Sequence, residues 1–295
     1  MRKLIPALLA LLLVASSSHA AELVRGVRFK ISAGDLATGM AQVEDYKRQH
    51  GVDAEYLDAI GWLARGSEML RRGDLAREYV AELRREIPTE KAELLTPFGA
   101  AIEVESKLIA ARDGRGAAIR FLDGELARAT APSLRSRISK NINLLSLEGQ
   151  QAPEVDTLQS LRGKPVLLFF WAFWCGDCKA QAPSLARVWQ KYRSQGLAMI
   201  APTRLYGTVA EKPATPAEEK AEMEKVWKDV YAGLDGVPTP VSTDVMIRYG
   251  ASATPTFALI DRKGIVRLYT PTRLSEAELS RRIEEVLADA GSPRP

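Results

Sequence analysis

A long apolar run that ends in two closely spaced cysteines limits the possible folds of this chain more than any other feature. Residues 166–173 are continuously apolar, as expected for a strand buried on both faces of a sheet. Cys175 and Cys178 follow directly, and residues 179–192 then carry apolar side chains at helical spacing. The cysteines are therefore predicted to lie at a strand-to-helix junction of an α/β domain.

This position predicts redox chemistry for the cysteine pair. The N-terminus of a helix presents unpaired N–H groups and the positive end of the helix dipole, and both favour a negative charge. A thiol placed there has a lowered pKa and reacts as the thiolate. We therefore expect Cys175 to attack a disulfide and Cys178, one helical turn later, to resolve the mixed disulfide. The chain has two cysteines in all, and so short a bridge stabilises a fold only weakly.

The first 20 residues have the features of an export signal. Two basic residues, at positions 2 and 3, precede an apolar run from Leu4 to Ala15, and small residues at positions 18 and 20 suit a cleavage site. The run is too short to span a bilayer comfortably. We expect a cleaved signal peptide, residues 1–20, and a periplasmic protein; an uncleaved segment would instead attach the chain to the membrane.

The net charge gives no support for a nucleic-acid partner. Without residues 1–20 the chain has 39 basic and 37 acidic side chains, because Arg2 and Lys3 are the charged residues lost from a total of 41 and 37. The resulting formal charge of +2 is too small to favour polyanionic partners. No nucleic-acid binding is therefore expected.

Residues 21–148 are predicted to form an all-α helical domain. Apolar side chains recur there at three- and four-residue intervals, and glycines fall where helices would end. A faint similarity between residues 69–76 and 110–117 suggests helical-hairpin repeats. His50 is expected to be a solvated residue at a helix end. The predicted helical segments are 53–72, 74–87, 98–112 and 116–129.

A polar, helix-breaking stretch at residues 148–153 marks the predicted domain boundary. Beyond it, strand and helix patterns alternate through a second domain, residues 149–291. This domain contains an insert with a Pro-rich start at residues 212–216 and a charged helix over about 217–231. The apolar stripe of that helix is expected to pack on the sheet.

The segment Phe170–Cys178, with the letters FWAFWCGDC, resembles the active-site segment of thioredoxin-fold proteins. The Gln150–Pro153 lead-in, the Lys164-Pro165 strand entry and the export signal are similar to those of the TlpA-like periplasmic family. The resemblance covers about residues 149–291. It implies an α/β thioredoxin fold, with a central mixed sheet flanked by helices, and a thiol–disulfide oxidoreductase with a redox-active Cys175–Cys178 disulfide.

A second segment, Ala253–Asp261, supports this resemblance. Family members have a cis-proline that faces the cysteine pair, and Pro255 matches it. The resemblance implies that Thr254 and Pro255 bind the backbone of a substrate. Trp174 and Gly176, beside the nucleophile, are expected to line the same substrate-binding surface, whereas Trp171 is expected to be a core residue.

Two acids that related proteins carry near the second cysteine are missing here. Phe169 occupies the position of a buried Asp in thioredoxins, and Gln181 the position where TlpA-like proteins often have Glu. We hypothesise that Asp177 replaces them as a catalytic base for Cys178; the alternative is that it only stabilises the helix N-terminus. A carboxylate also disfavours a neighbouring thiolate, which favours a reductant.

The expected partners are protein thiols and disulfides, and the resemblance implies a membrane electron donor. No cofactor and no metal are predicted. Zinc in particular would need further Cys or His ligands, and the second domain has no histidine. The alternatives are a disulfide oxidase or isomerase of the same fold, a Cu(I)-binding thiol carrier, and an adaptor that works through its helical domain. Thiol peroxidase chemistry is disfavoured, because Trp174 precedes the cysteine where such enzymes have an upstream threonine.

Overall fold

A computed structural model of the chain describes residues 22–288, and the predicted export signal lies outside them. The chain divides into two compact units, one ending at Leu134 and the other beginning at Arg135. The predicted boundary was 148/149. The division falls earlier because most of the helix Pro132–Ser146 packs within the second unit.

The first unit is all-α, as predicted. Asp53 begins the third helix by accepting a hydrogen bond from the Tyr56 N–H at 2.8 Å. Gly51 and Gly114 follow helix ends with φ of 79° and 86°, a conformation that costs glycine least. His50 is the exposed last residue of the second helix. The helices are α1 (22–32), α2 (Leu36–His50), α3 (Ala54–Met69), α4 (Gly73–Glu86), α5 (Leu95–Asp113) and α6 (Arg115–Arg128).

Helices that follow one another in this unit pack side by side. Helix α3 contacts α2, α4 and α5, and α5 also contacts α6. Apolar side chains of α3 and α5 are buried, among them Leu63 and Ile102. The predicted helical segments therefore contain most of the buried apolar residues of this unit, while the suggested repeat stays a prediction.

The second unit is built on a four-stranded mixed sheet in the order β2-β1-β5-β6. Strand β1 pairs in parallel with β2 and antiparallel with β5, and β5 pairs antiparallel with β6. All five residues of β1 are buried, which confirms the buried central strand. The strands of this sheet are β1 (Val166–Phe170), β2 (Ala198–Ile200), β5 (Thr256–Ile260) and β6 (Val266–Thr270); β3 (Thr208–Val209) and β4 (Lys212–Pro213) form a separate small hairpin.

Alternate residues of β1 point to two cores, one on each face of the sheet. Leu167 and Phe169 belong to the first core and Leu168 and Phe170 to the second. Helices α9, α10 and α12 contribute buried residues to the first core, and α11 contributes to the second. Helices therefore flank the sheet on both sides, as a thioredoxin fold requires. The helices of the unit are α7 (Pro132–Ser146), α8 (Asp156–Gln159), α9 (Gly176–Tyr192), α10 (Pro216–Val230), α11 (Thr243–Arg248) and α12 (Glu276–Ala288).

The predicted insert contains the hairpin β3–β4 and helix α10. Thr215 and Glu218 form a capping box at the N-terminus of α10, in which each side chain bonds the other residue's backbone N–H. Met223 and Val226 are buried in the first core. The apolar stripe of α10 thus packs in the first core, on one face of the sheet, as expected.

Candidate functional site

The two cysteines form a disulfide at the N-terminus of α9, with their Cα atoms 5.3 Å apart. Cys175 occupies the N-cap position, and its Sγ accepts a hydrogen bond from the Cys178 N–H at 3.1 Å. The backbone of an N-cap residue is extended, so its side chain lies beside the first N–H groups of the helix, which have no partner within the helix. In the reduced protein the same N–H and the helix dipole stabilise a Cys175 thiolate.

The environment of the two sulfurs is asymmetric. Cys175 retains 4% of its surface and Cys178 none. The residues around Cys175 are open to solvent: Gly176 and Asp177 are exposed, and Trp174 is 56% exposed. Cys175 is therefore the cysteine nearer to solvent, and Cys178 lies in the protein interior.

The segment before β5 lies against Cys175. The Thr254–Pro255 peptide bond is cis, and the carbonyl oxygen of Thr254 is 3.3 Å from Cys175 Sγ. A disulfide sulfur carries no hydrogen, so this is a close contact in the oxidised protein, whereas a Cys175 thiol has a proton to donate to that oxygen. The structure thus brings together the cysteine segment and the Thr254–Pro255 segment, which both carry the family resemblance and lie almost 80 residues apart in the chain.

Asp177 points to solvent and pairs with an arginine that the sequence did not single out. Its Oδ1 is 3.7 Å from Nη1 of Arg273, with 69% of the Asp177 side chain and 52% of the Arg273 side chain exposed. The N-cap is Cys175 and not Asp177. Arg273 lies almost a hundred residues away in a segment without a motif, so no sequence signal identified it.

Gln181 forms a buried link between α9 and the segment before α12. Its Nε2 donates to the Leu274 carbonyl at 2.9 Å and its Oε1 accepts from the Leu274 N–H at 3.1 Å. Gln181 is 2% exposed. An amide supplies both the donor and the acceptor that this two-way contact needs, and the contact fixes the residue next to Arg273. From the sequence alone, Gln181 was notable only because it lacks the carboxyl group of the Glu that TlpA-like proteins often have at this position.

The aromatic residues of the cysteine segment divide between core and surface. Trp171 is 1% exposed and its indole N–H donates to the Ala201 carbonyl at 3.0 Å, which confirms its assignment to the core. Phe169 stacks on Phe257 with ring centroids 5.3 Å apart. Trp174 instead contacts Tyr206 at the surface, with centroids 5.2 Å apart and rings nearly perpendicular.

Two further findings apply to residues 22–288, the part of the chain that the structure describes. Within them no group of three or more His, Cys, Asp or Glu side chains is arranged to hold a metal ion. No helix in the same range is long and apolar enough to cross a membrane.

The sheet order and the disulfide at the start of α9 place the second unit in the class of thioredoxin-fold proteins. Comparison with known proteins gives the family. The model of the AhpC/TSA family matches residues 138–269. The thiol–disulfide oxidoreductase ResA of Bacillus subtilis (strain 168) is 31% identical over 137 residues, which cover 42% of this chain and 68% of ResA. This chain belongs to the TlpA-like thioredoxin-fold family of thiol–disulfide oxidoreductases.

Two further similarities concern the same part of the chain. The thioredoxin-like protein YneN of Bacillus subtilis (strain 168) is 26% identical over 149 residues, covering 46% of this chain and 79% of YneN. The structure of DsbF from MTB, in mixed oxidized and reduced forms, is 25% identical with a TM-score of 0.36 and covers 43% of this chain and 84% of DsbF. Each similarity covers less than half of this chain.

Proposed function

We propose that this protein is an exported reductant of protein disulfides and that Cys175 is its nucleophile. The observation that supports this most is the position of Cys175 Sγ, 3.1 Å from the Cys178 N–H at the N-terminus of α9. A thiolate at that position is stabilised relative to an ordinary thiol, and the thiolate is the attacking species. The exposed neighbours of Cys175 leave room for a protein substrate.

The proposed reaction transfers two electrons in two exchange steps. The Cys175 thiolate attacks one sulfur of a substrate disulfide, so that a mixed disulfide forms and the other substrate sulfur leaves as a thiolate. Cys178 then loses its proton and attacks Cys175 Sγ, which closes the Cys175–Cys178 disulfide and releases the second substrate thiolate. The substrate gains two electrons, and the protein loses two.

We further propose that Thr254 and Pro255 orient the substrate backbone and that Trp174 and Gly176 line the surface it occupies. The 3.3 Å contact between the Thr254 carbonyl oxygen and Cys175 Sγ supports this, because a substrate chain next to Thr254 has its sulfur close to the nucleophile. A glycine at 176 leaves open space where a side chain would stand, since nothing beyond its chain neighbours and the nearby backbone of its own helix lies within 4 Å of a Cβ built there.

The role of Asp177 as the base for Cys178 stays a proposal beside a purely electrostatic role. Its side chain is 69% exposed and faces Arg273, whereas Cys178 is fully buried; this supports the electrostatic role over direct proton transfer. Replacement of Asp177 by Asn distinguishes the two. Loss of a base slows the release of the mixed disulfide, whereas loss of a charge changes the reduction potential.

Location and electron supply complete the proposal. Cleavage after Ala20 would release the chain into the periplasm, where N-terminal sequencing of the protein from cells tests it. A reductant that works there has to be reduced again after each turnover, and we propose a membrane electron donor for this step.

The reduction potential of the Cys175–Cys178 pair tests the direction of electron flow. The mature protein is equilibrated against glutathione buffers, and the tryptophan fluorescence is recorded, with Trp174 directly beside the disulfide. A potential near that of thioredoxin, about −270 mV, supports a reductant. A potential of about −120 to −180 mV would identify an oxidase or isomerase instead. Failure to observe any couple, with retention of Cu(I), would identify a thiol carrier.

A further inference from the structure

A buried carboxylate in the insert is bonded to backbone rather than to a cation. Glu219, on α10, has no exposed surface. Its Oε1 accepts a hydrogen bond from the Tyr206 N–H at 2.5 Å, and its Oε2 accepts one from the Gly207 N–H at 2.9 Å. Burying a charged carboxylate is costly unless hydrogen bonds compensate for it. The Glu219 carboxylate thus holds the backbone of two consecutive loop residues, Tyr206 and Gly207.

That loop places an aromatic ring beside Trp174 and Phe173, the two residues that precede Cys175 in the chain. The Tyr206 ring lies 5.2 Å from the Trp174 ring at 82°, and 6.3 Å from the Phe173 ring at 70°. The guanidinium of Arg204 lies over the same Tyr206 ring, 4.7 Å from its centroid. Trp174 directly precedes Cys175 in the chain. We name Trp174, Tyr206 and Arg204 the aromatic wall.

The attachment of α10 to the domain does not explain the buried hydrogen bonds of Glu219. The helix is attached to the first core by Met223 and Val226, and its N-terminus is closed by the capping box at Thr215. The partners of Glu219 lie outside α10, in the loop between β2 and β3. The effect of its hydrogen bonds is therefore on the position of Tyr206.

We propose that Glu219 is a positioning residue: it holds Tyr206 against Trp174 so that the aromatic wall receives an extended segment of the substrate protein next to the reacting cysteine. This inference rests on the proposed reduction of protein disulfides. The ligand is a polypeptide that carries side chains on both sides of its cysteine. A small disulfide without peptide reaches Cys175 but not the wall.

The test compares two disulfides in steady-state kinetics of the full chain, insulin as the protein probe and hydroxyethyl disulfide as the small probe. Dithiothreitol regenerates the Cys175–Cys178 dithiol after each turnover, and its uncatalysed reaction with each probe is subtracted. Aromatic contacts contribute enough free energy that losing the wall raises KM for insulin about 3- to 10-fold. We expect this rise in Glu219→Gln, because its amide NH₂ must face one of the two backbone N–H groups that the carboxylate accepts from, and in Tyr206→Ala. The rise in KM for insulin should exceed any change with hydroxyethyl disulfide by about threefold or more.

A double variant separates positioning from a general loss of structure. If Glu219 acts through Tyr206, then Glu219→Gln adds no further rise in KM to a chain that already carries Tyr206→Ala. Tyr269→Phe is the matched control. It removes a buried hydrogen bond, from Tyr269 Oη to the Tyr249 carbonyl at 2.8 Å, in the second core on the opposite face of the sheet.

Three results would overturn the inference: Glu219→Gln raising KM for insulin no more than Tyr269→Phe, the effects of Glu219→Gln and Tyr206→Ala adding in full, or both probes being affected equally. A wild-type chain that reduces hydroxyethyl disulfide but not insulin would contradict the proposed function as well. A wild-type chain that reduces insulin as well as Glu219→Gln does would contradict this inference alone.

Discussion

At the scale of single residues, the carboxylate between the two cysteines forms an exposed ion pair with an arginine. The Asp177 carboxylate lies between the two cysteines in the chain and disfavours a thiolate at Cys175, while the Arg273 guanidinium, 3.7 Å from that carboxylate, opposes it. Both side chains are largely exposed, so solvent weakens each effect. Their balance bears directly on the direction of electron flow, because a stabilised thiolate favours the reduced protein.

We predict opposite shifts of the reduction potential when these charges are removed. Asp177→Asn should raise the potential by about 10–20 mV, because removing the carboxylate stabilises the thiolate and thus the reduced form. Arg273→Gln should lower it by a similar amount. Equilibration against glutathione measures both, and low ionic strength enlarges the effect.

Asp156→Asn is the control for these variants, since Asp156 is an exposed carboxylate on α8, away from the cysteines in the chain. Equal potentials in all three variants and the wild type would show that charge at Asp177 has no part in setting the couple. Slow release of the mixed disulfide by Asp177→Asn, at an unchanged potential, would instead support the role of a base.

At the scale of elements, the turn between β5 and β6 stabilises the strand that follows Pro255. Asp261 is 5% exposed and accepts hydrogen bonds from the Lys263 N–H, the Ile265 N–H and the Arg267 Nε at 2.7–2.9 Å. Burial by itself would raise the pKa of Asp261. The Ile265 N–H, the Arg267 guanidinium and the Lys263 N–H outweigh burial and lower that pKa below its ordinary value.

We predict that Asp261→Asn lowers the free energy of unfolding at neutral pH by about 2–3 kcal/mol, because buried N–H donors lose a charged acceptor. The folded pKa of Asp261 is lowered, so the stabilisation is present above the unfolded pKa of about 3.9 and is lost as the pH falls through the folded pKa. Urea unfolding of both proteins from pH 7 to pH 3 measures the difference.

The control for this prediction is Asp244→Asn, because the Asp244 side chain is 65% exposed in its pair with Arg248. It should change stability little at any pH. A difference between wild type and Asp261→Asn that stays constant from pH 7 to pH 3 would contradict the assigned ionisation.

At the scale of the whole molecule, helix α7 decides where the second unit begins. Ser136 Oγ donates to the Met246 carbonyl at 3.2 Å, and Asn143 Nδ2 donates to the Arg248 carbonyl at 3.1 Å. Gly250 lies so close to α7 that a Cβ on it would come within 2.2 Å of the Lys140 nitrogen. Residues 135–146 are therefore built into the thioredoxin fold.

We predict that a chain shortened to residues 135–295 folds and keeps the reduction potential of the full protein. A chain shortened to residues 149–295, which starts where the predicted domain 149–291 starts, should lose about 3 kcal/mol or more of stability, because it lacks buried Ile138 and Leu147. Urea unfolding followed by tryptophan fluorescence compares them. Equal stability of the two shortened chains would show that α7 contributes nothing to the second unit.

The sequence by itself determined the fold class, the buried strand and the position of the cysteines at the start of a helix. These depend on periodicity and on near neighbours in the chain, which a sequence records directly. The second compact unit begins at Arg135, before the predicted boundary, because the polar stretch at residue 148 follows the end of α7 and α7 packs within that unit.

Apart from the Thr254–Pro255 segment, which the resemblance implied, tertiary structure decided what surrounds the disulfide. Arg273 beside Asp177, Leu274 bonded to Gln181, and Tyr206 held by Glu219 all join residues from different elements. No local pattern encodes such contacts, because the sheet order and the helix packing, rather than distance along the chain, bring the partners together. The contacts around the disulfide are thus a property of the packing, whereas the spacing of Cys175 and Cys178 is a property of the sequence.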